Sequence, residues 1–155
     1  TELLGALRAV HDPAYLSFLA SAHAEWRAAG REGDALPYAF PIRRRPQELE
    51  RIDARLGRYS YDTCTPVTEG TWDALLAGAA TVLEALDAVL AGDHAFALTR
   101  PPGHHAGADY MGGYSYLNWA ALAAVALGRR AAVLDLDYHH GNGTQDILEG
   151  REGLS

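Results

Sequence analysis

Apolar positions recur at helical spacing over residues 1–10, where Leu3, Leu4, Leu7 and Val10 share a face. They recur again over residues 13–29, where Leu16, Leu19, His23 and Trp26 do the same. Asp12 followed by Pro13 predicts an N-cap and first helical position for this second helix, and Gly30 predicts its stop. Over 31–70 the periodicity fails, broken by prolines at 37, 41, 46 and 66, and leaves a short charged helix over 46–56 in an otherwise irregular region. Tyr38, Phe40, Tyr59 and Tyr61 argue that this region is ordered, as a functional or interface loop. The strongest helix is predicted over 71–91, carrying Trp72, Leu75, Leu76, Ala79, Val82, Leu83, Leu86 and Val89 and ending at Gly92. Residues 95–99 read as a short apolar strand, which the two prolines Pro101 and Pro102 must leave as loop. An alanine-rich helix over 117–127 and a second, buried strand over 131–137 follow.

On that second strand, alternation puts Asp135, Asp137 and His139 on one side and Leu134, Leu136 and Tyr138 on the other. Gly141 and Gly143 then turn the chain. Strand, loop, helix, strand is one right-handed crossover of a parallel sheet, so the chain reads as α/β with the two strands as neighbours. Ligands collect at the carboxyl ends of such strands. The histidine-bearing segments 103–105 and 137–142 are therefore expected at one sheet edge.

Composition narrows the field. The 155 residues are 48% hydrophobic and 21% charged, with a net charge of −7. That balance suits a water-soluble domain and argues against broad nucleic-acid binding, since Arg43-Arg44-Arg45 is the one basic run. No apolar run approaches a membrane span, and no signal peptide is evident. A single cysteine, Cys64, excludes an internal disulfide and points to a reducing, cytoplasmic setting. All 13 basic residues are arginine, which with the alanine richness suggests a GC-rich bacterial source. The start at Thr1 and the stop at Ser155 suggest an internal fragment.

The candidate chemistry is that of a metal site. A catalytic zinc takes three ligands from His, Asp and Glu plus a water, and Asp137 and His139 supply two. Iron suits the same donors. Asp135 lies one step deeper, where it orients another group or helps bind a second cation. His104 and His105 offer one imidazole as general base and the other to stabilise charge. Adjacent histidines taken singly are usually surface residues; their convergence with D-x-D-x-H at one edge is the signal.

Three segments also carry a likeness. Arg100-Pro101-Pro102-Gly103-His104-His105-Ala106, Gly112-Gly113-Tyr114-Ser115-Tyr116-Leu117-Asn118 and Leu134-Asp135-Leu136-Asp137-Tyr138-His139-His140-Gly141-Asn142-Gly143-Thr144-Gln145 strongly resemble the arginase/deacetylase superfamily. Within it they look most like the acetylpolyamine amidohydrolases, relatives of the histone deacetylases. Ala9-Val10-His11-Asp12 and Gly70-Thr71-Trp72 fit more loosely. The resemblance implies a three-layer α/β/α fold with a mainly parallel sheet. The chain would be the N-terminal to middle portion of one such domain, with 31–70 as a long loop region and 95–145 as the catalytic crossover.

The likeness further implies Asp137 and His139 as zinc ligands, His105 as general base and His104 as its electrostatic partner. Asp135 would accept a hydrogen bond from His104, and Asn142 one from His105. Asp135, Asp137 and His139 would also lend oxygens to a structural K+ or Na+, and Gly113 and Tyr114 would wall the substrate tunnel. Ser115 and Trp119 depart from common family residues without touching this chemistry. The family's third metal ligand and its carbonyl-polarising tyrosine lie further along than residue 155, and Asp146, Glu149 and Glu152 follow the turn too closely to replace the ligand. The 155 residues alone are therefore expected to bind zinc poorly and not to turn over.

The implied reaction is deacetylation of an N-acetylated aliphatic amine by metal-activated water. Acetylpolyamines are favoured by the 31–70 loop, which the likeness makes a homodimer contact and a narrowing of the entrance. Asp34, Asp53 and Asp62 are the acidic residues it offers to a distal ammonium. Acetyl-lysine proteins or peptides are the rival substrates. A catalytically silent fragment lacking the third ligand is the rival of a different class.

Overall fold

The computed structural model describes residues 2–41 and 49–155, in which six helices are joined by long irregular stretches. Helices α1 (Glu2–Arg8) and α2 (Pro13–Ala28) fall where the apolar periodicity puts them. Asp12 caps α2 by accepting from the N–H groups of Ala14 at 2.7 Å and Tyr15 at 3.1 Å, and Gly30 breaks the helix at φ +74°. A cap of this kind is worth about 1 kcal/mol. Helix α2 buries Tyr15 and Phe18 as well as Leu16, Leu19 and Trp26, a wider stripe than one inner face. The reason is α3 (Ile52–Tyr59), whose terminal Tyr59 ring lies 4.6 Å from Phe18 and 5.4 Å from Tyr15.

Helix α3 starts later than the expected residue 46 and runs past Leu56. Arg51 is extended, and Tyr59 is held to the helix by its aromatic contacts. The Arg43–Arg45 run and the first residues of the expected helix lie outside the described residues. The ends of the long loop are tied by an antiparallel pair, Ala35 to Val67, with hydrogen bonds of 2.9 and 3.0 Å. Asp53 is buried, not solvated: it accepts from Arg31 at 2.9 Å, Arg51 at 2.7 Å and the Tyr38 hydroxyl at 2.7 Å. The bonds from Arg51 first and from Tyr38 second hold its carboxyl far below the ordinary range. Its role is to pin the loop, which removes it as a seat for a substrate ammonium.

Helix α4 (Thr71–Leu90) packs on α5 (Trp119–Ala126), where Gly78 lets the Trp119 ring approach the backbone. Trp119 donates to the Pro101 carbonyl at 2.7 Å and so anchors the start of the histidine loop. Asn118 caps α5 through Ala121 N–H at 3.0 Å. Helix α6 (Asn142–Leu148) begins directly after Gly141. None of these helices is long and apolar enough to cross a membrane.

The two expected strands differ from expectation. Residues 95–99 and 131–137 share no backbone hydrogen bond among the described residues, so they are not neighbours in a sheet. The parallel pairing instead joins 131–133 to 153–155, with Ala131 N–H to Gly153 at 3.0 Å and Val133 N–H to Ser155 at 2.7 Å. The crossover thus runs through α6 and not through α5. The second segment is not buried either: Leu134, Leu136 and Tyr138 are 83–97% exposed, as are Phe96 and Leu98 at 85% and 80%. Apolar composition predicted burial, but the helices that pack here cover only the other side.

Candidate active site

The two histidine segments meet through helix α6, not through strand pairing. Thr144 N–H, in the first turn of α6, donates to the His104 carbonyl at 3.1 Å. Buried Asn118 adds side-chain bonds to the Ala106 carbonyl at 2.9 Å and to Thr144 Oγ1 at 3.0 Å. Gly143 is required by this closeness, since a Cβ there would lie 2.2 Å from the Ala106 carbonyl oxygen.

In the resulting cluster His104 Nδ1 lies 2.8 Å from Asp135 Oδ2, and His105 Nδ1 lies 2.6 Å from Asn142 Oδ1. The two rings sit 4.1 Å apart between centroids, and His105 is 6.0 Å from the His139 ring. The D-x-D-x-H run is organised by its own side chains. Asp135 Oδ1 accepts from Asp137 N–H at 3.0 Å, and Asp137 Oδ1 accepts from His139 N–H at 2.7 Å. Burial pushes the Asp135 carboxyl up, but the hydrogen bonds from His104 and from Asp137 N–H outweigh it and leave it below the usual range. Asp137 is lowered chiefly by the His139 N–H. Both carboxylates are therefore ionised at neutral pH and available as anionic donors.

A metal centre requires more than this pair. Asp137 Oδ1 and His139 Nδ1 face each other at 3.2 Å, but among the described residues no three His, Cys, Asp or Glu side chains are placed so that they could hold a metal ion. Asp146 lies on α6 and is engaged with the Tyr110 hydroxyl, so it is not a third ligand. His140 bonds Gln145 at 2.6 Å and faces away from the pair it adjoins in sequence.

Gly113 and Tyr114 form a tight turn at φ +53° and +63° against His105. A Cβ at Gly113 would lie 2.2 Å from the His105 ring, so only glycine fits. Asp62 and Thr65, from the loop region, hold this turn: Gly113 N–H donates to Asp62 at 2.6 Å and Tyr114 N–H to Thr65 at 3.0 Å. Asp62 is a turn-holder rather than an open acid. Asp62→Ala should leave both left-handed residues under-supported and lower stability by about 1–3 kcal/mol, measured by urea unfolding. A variant as stable as the parent would contradict this role. No periodicity or spacing marks Asp62 or Thr65, because their partners are backbone groups some 50 residues away. His11, marked in sequence only by the looser likeness of its segment, bridges the Gly107 carbonyl at 2.9 Å and Asn118 N–H at 3.0 Å.

Known proteins share this arrangement of chain. Acetylpolyamine amidohydrolase 2 of Pseudomonas aeruginosa is 49% identical over 151 residues, spanning 94% of this chain and 44% of that protein. The acetylpolyamine amidohydrolase of Mycoplana ramosa is 45% identical over 148 residues, 92% of this chain and 43% of its own length. The crystal structure of acetylpolyamine aminohydrolase from Burkholderia pseudomallei superposes with a TM-score of 0.91 at 43% identity, over 97% of this chain and 45% of that one. The chain thus spans less than half the length of these relatives. Residues 4–154 match the histone deacetylase domain, and the chain belongs to that family.

Proposed function

We propose that the full-length protein carrying this chain is a zinc-dependent amidohydrolase that removes the acetyl group from N-acetylated aliphatic amines, acetylpolyamines foremost. The observation that carries the reading is the pair of imidazoles, each bonded through Nδ1 to its own oxygen acceptor, beside Asp137 and His139. The acetylpolyamine class is favoured by the names of the relatives that match along nearly the whole chain.

Asp137 and His139 would hold the metal. Asp137 Oδ1 and His139 Nδ1, 3.2 Å apart, are a carboxylate and an imidazole of the kind zinc takes as ligands. The reading requires a third donor from elsewhere in the protein. Iron suits the same donors. A metal held there would supply Lewis-acid chemistry, polarising the amide carbonyl and making the attacking water more acidic. His105, its Nδ1 proton held by Asn142, receives the water's proton at Nε2. His104, oriented by the ionised Asp135, stabilises the negative charge that develops, and one of the two histidines hands a proton to the departing amine. Gly113 and Tyr114 flank the aliphatic chain. In the same reading Asp135, Asp137 and His139 lend oxygens to a K+ or Na+ ion, and the 31–70 loop joins two copies. Residues 95–99 and 131–137 become strands of a three-layer α/β/α sheet, which the exposure of Phe96, Leu98, Leu134 and Leu136 supports.

The test is turnover by the full-length protein. Zinc-loaded enzyme should release putrescine from N-acetylputrescine faster than it deacetylates acetyl-lysine peptides at equal concentration. Chelation should reduce both to background, and added zinc should restore them. A zinc-loaded protein inert toward every acetylated amine would overturn the proposal.

A further inference from the structure

Asn142 supports His105 where a carboxylate would serve with less ambiguity, because an amide has two different faces. Presented by Oδ1, it accepts from Nδ1–H and leaves Nε2 with a free lone pair. Turned by 180°, it would donate to Nδ1 and place the imidazole proton on Nε2, which then accepts nothing. An asparagine in this position therefore needs a device that tells its two ends apart.

The structure holds such a device. Asn142 Nδ2 donates to the Tyr110 hydroxyl oxygen at 3.2 Å, and Tyr110 gives its own proton to Asp146 Oδ2. Asp146 stands one helical turn after Asn142 on α6, so both side chains project toward the same tyrosine. An ionised carboxylate can only accept. The Tyr110 proton is thereby committed outward, and its oxygen can only accept from Asn142. Polarity then runs inward without a free choice: Asn142 must present N–H to Tyr110 and Oδ1 to His105, which must carry its proton on Nδ1.

We propose that Tyr110 and Asp146 are positioning residues that select the base-competent tautomer of His105 by fixing the amide of Asn142. The inference rests on the reading of His105 as the general base. Burial first, and the Asp146 carboxylate second, push the Tyr110 hydroxyl well above the ordinary phenol range, so it keeps the proton this relay needs. Tyr61 lines the same cavity as Asn142. Its hydroxyl has no carboxylate bonded to it among the described residues and rotates to suit either amide face, so it does not discriminate. A cavity of about 390 Å³ bounded by Phe40, Tyr61, Tyr110, Asn142 and Asp146 opens onto this relay.

The experiment uses full-length protein. Tyr110→Phe should lower kcat about 10–100-fold while KM stays within about twofold, the range seen when supporting partners of site residues are removed. Asp146→Ala, at an exposed position on α6, should shift kcat in the same direction, and it carries the test should Tyr110→Phe fold poorly. In metal-free protein, ¹⁵N resonances of His105 should move from the Nδ1–H toward the Nε2–H pattern in both variants. In an Asn142→Asp background, whose carboxylate has no wrong face, the Tyr110→Phe loss should shrink to about threefold or less. An equal loss in both backgrounds, or a His105 that keeps Nδ1–H in both variants, overturns the proposal. Turnover that survives His105→Ala would instead remove the base assignment, while the tautomer measurement still decides the relay.

Discussion

Replacing His105 with alanine in the full-length protein is expected to lower kcat about 10²–10⁴-fold, the usual contribution of a positioned general base. Zinc content should be unchanged, because His105 bonds Asn142 and stands apart from the Asp137–His139 pair. Asp137→Ala should cause a loss at least as large by another route. Asp137 accepts the His139 N–H at 2.7 Å and faces Nδ1 at 3.2 Å, so its removal deletes one donor and releases the other. Metal stoichiometry by elemental analysis should therefore fall in Asp137→Ala and hold in His105→Ala. Both variants retaining near-parental turnover would dismantle the mechanism. Equal loss of zinc from both would show that His105 is itself a ligand.

The second large effect concerns the fold. His11 is buried, donating from Nδ1 to the Gly107 carbonyl and accepting Asn118 N–H at Nε2. Burial lowers its pKa to about 4, only partly opposed by the carbonyls of Gly107 and Ala108. The unfolded chain takes up this proton near the ordinary value of about 6.5. Between those two values the unfolded state binds more protons, so stability rises with pH there. The contribution is fully present above about pH 6.5 and is lost as pH falls toward about 4, amounting to about 3 kcal/mol. His11→Ala should cost about 3–5 kcal/mol at pH 8, because it leaves a buried N–H, a buried carbonyl and a cavity. Urea unfolding at pH 8 and pH 5 should show a smaller difference for the variant than for the parent. An identical pH dependence would mean that His11 binds protons alike in the folded and unfolded states and would contradict this role.

The helices were legible because their signals are local. Asp12-Pro13, Gly30, Gly92 and the 71–90 stripe each act within a turn or two of chain, and they set boundaries to within a residue. The pairings His104 with Asp135 and His105 with Asn142 were reached through the family likeness and are formed here at hydrogen-bond distance. Three kinds of contact lay beyond reading. The expected pairing of 95–99 with 131–137 assumed that successive strands lie side by side, whereas 131–133 pairs with 153–155. Asp53 resembled a solvated loop charge until Arg31, 22 residues away, closed on it. Tyr110 and Asp146, 36 residues apart, form one unit that no spacing rule predicts.

The open ribbons have a practical meaning for handling the molecule. Phe96 and Leu98 alternate along a segment that shares no backbone hydrogen bond with another segment among the described residues, and Leu134 and Leu136 lie just past the 131–133 pairing, likewise exposed. Alternating apolar side chains on an unpaired extended backbone are a template for addition of further strands. Expressed as a separate polypeptide, this segment carries an intrinsic tendency to self-associate. The route would be edge-to-edge joining of chains at 95–99 and 134–137.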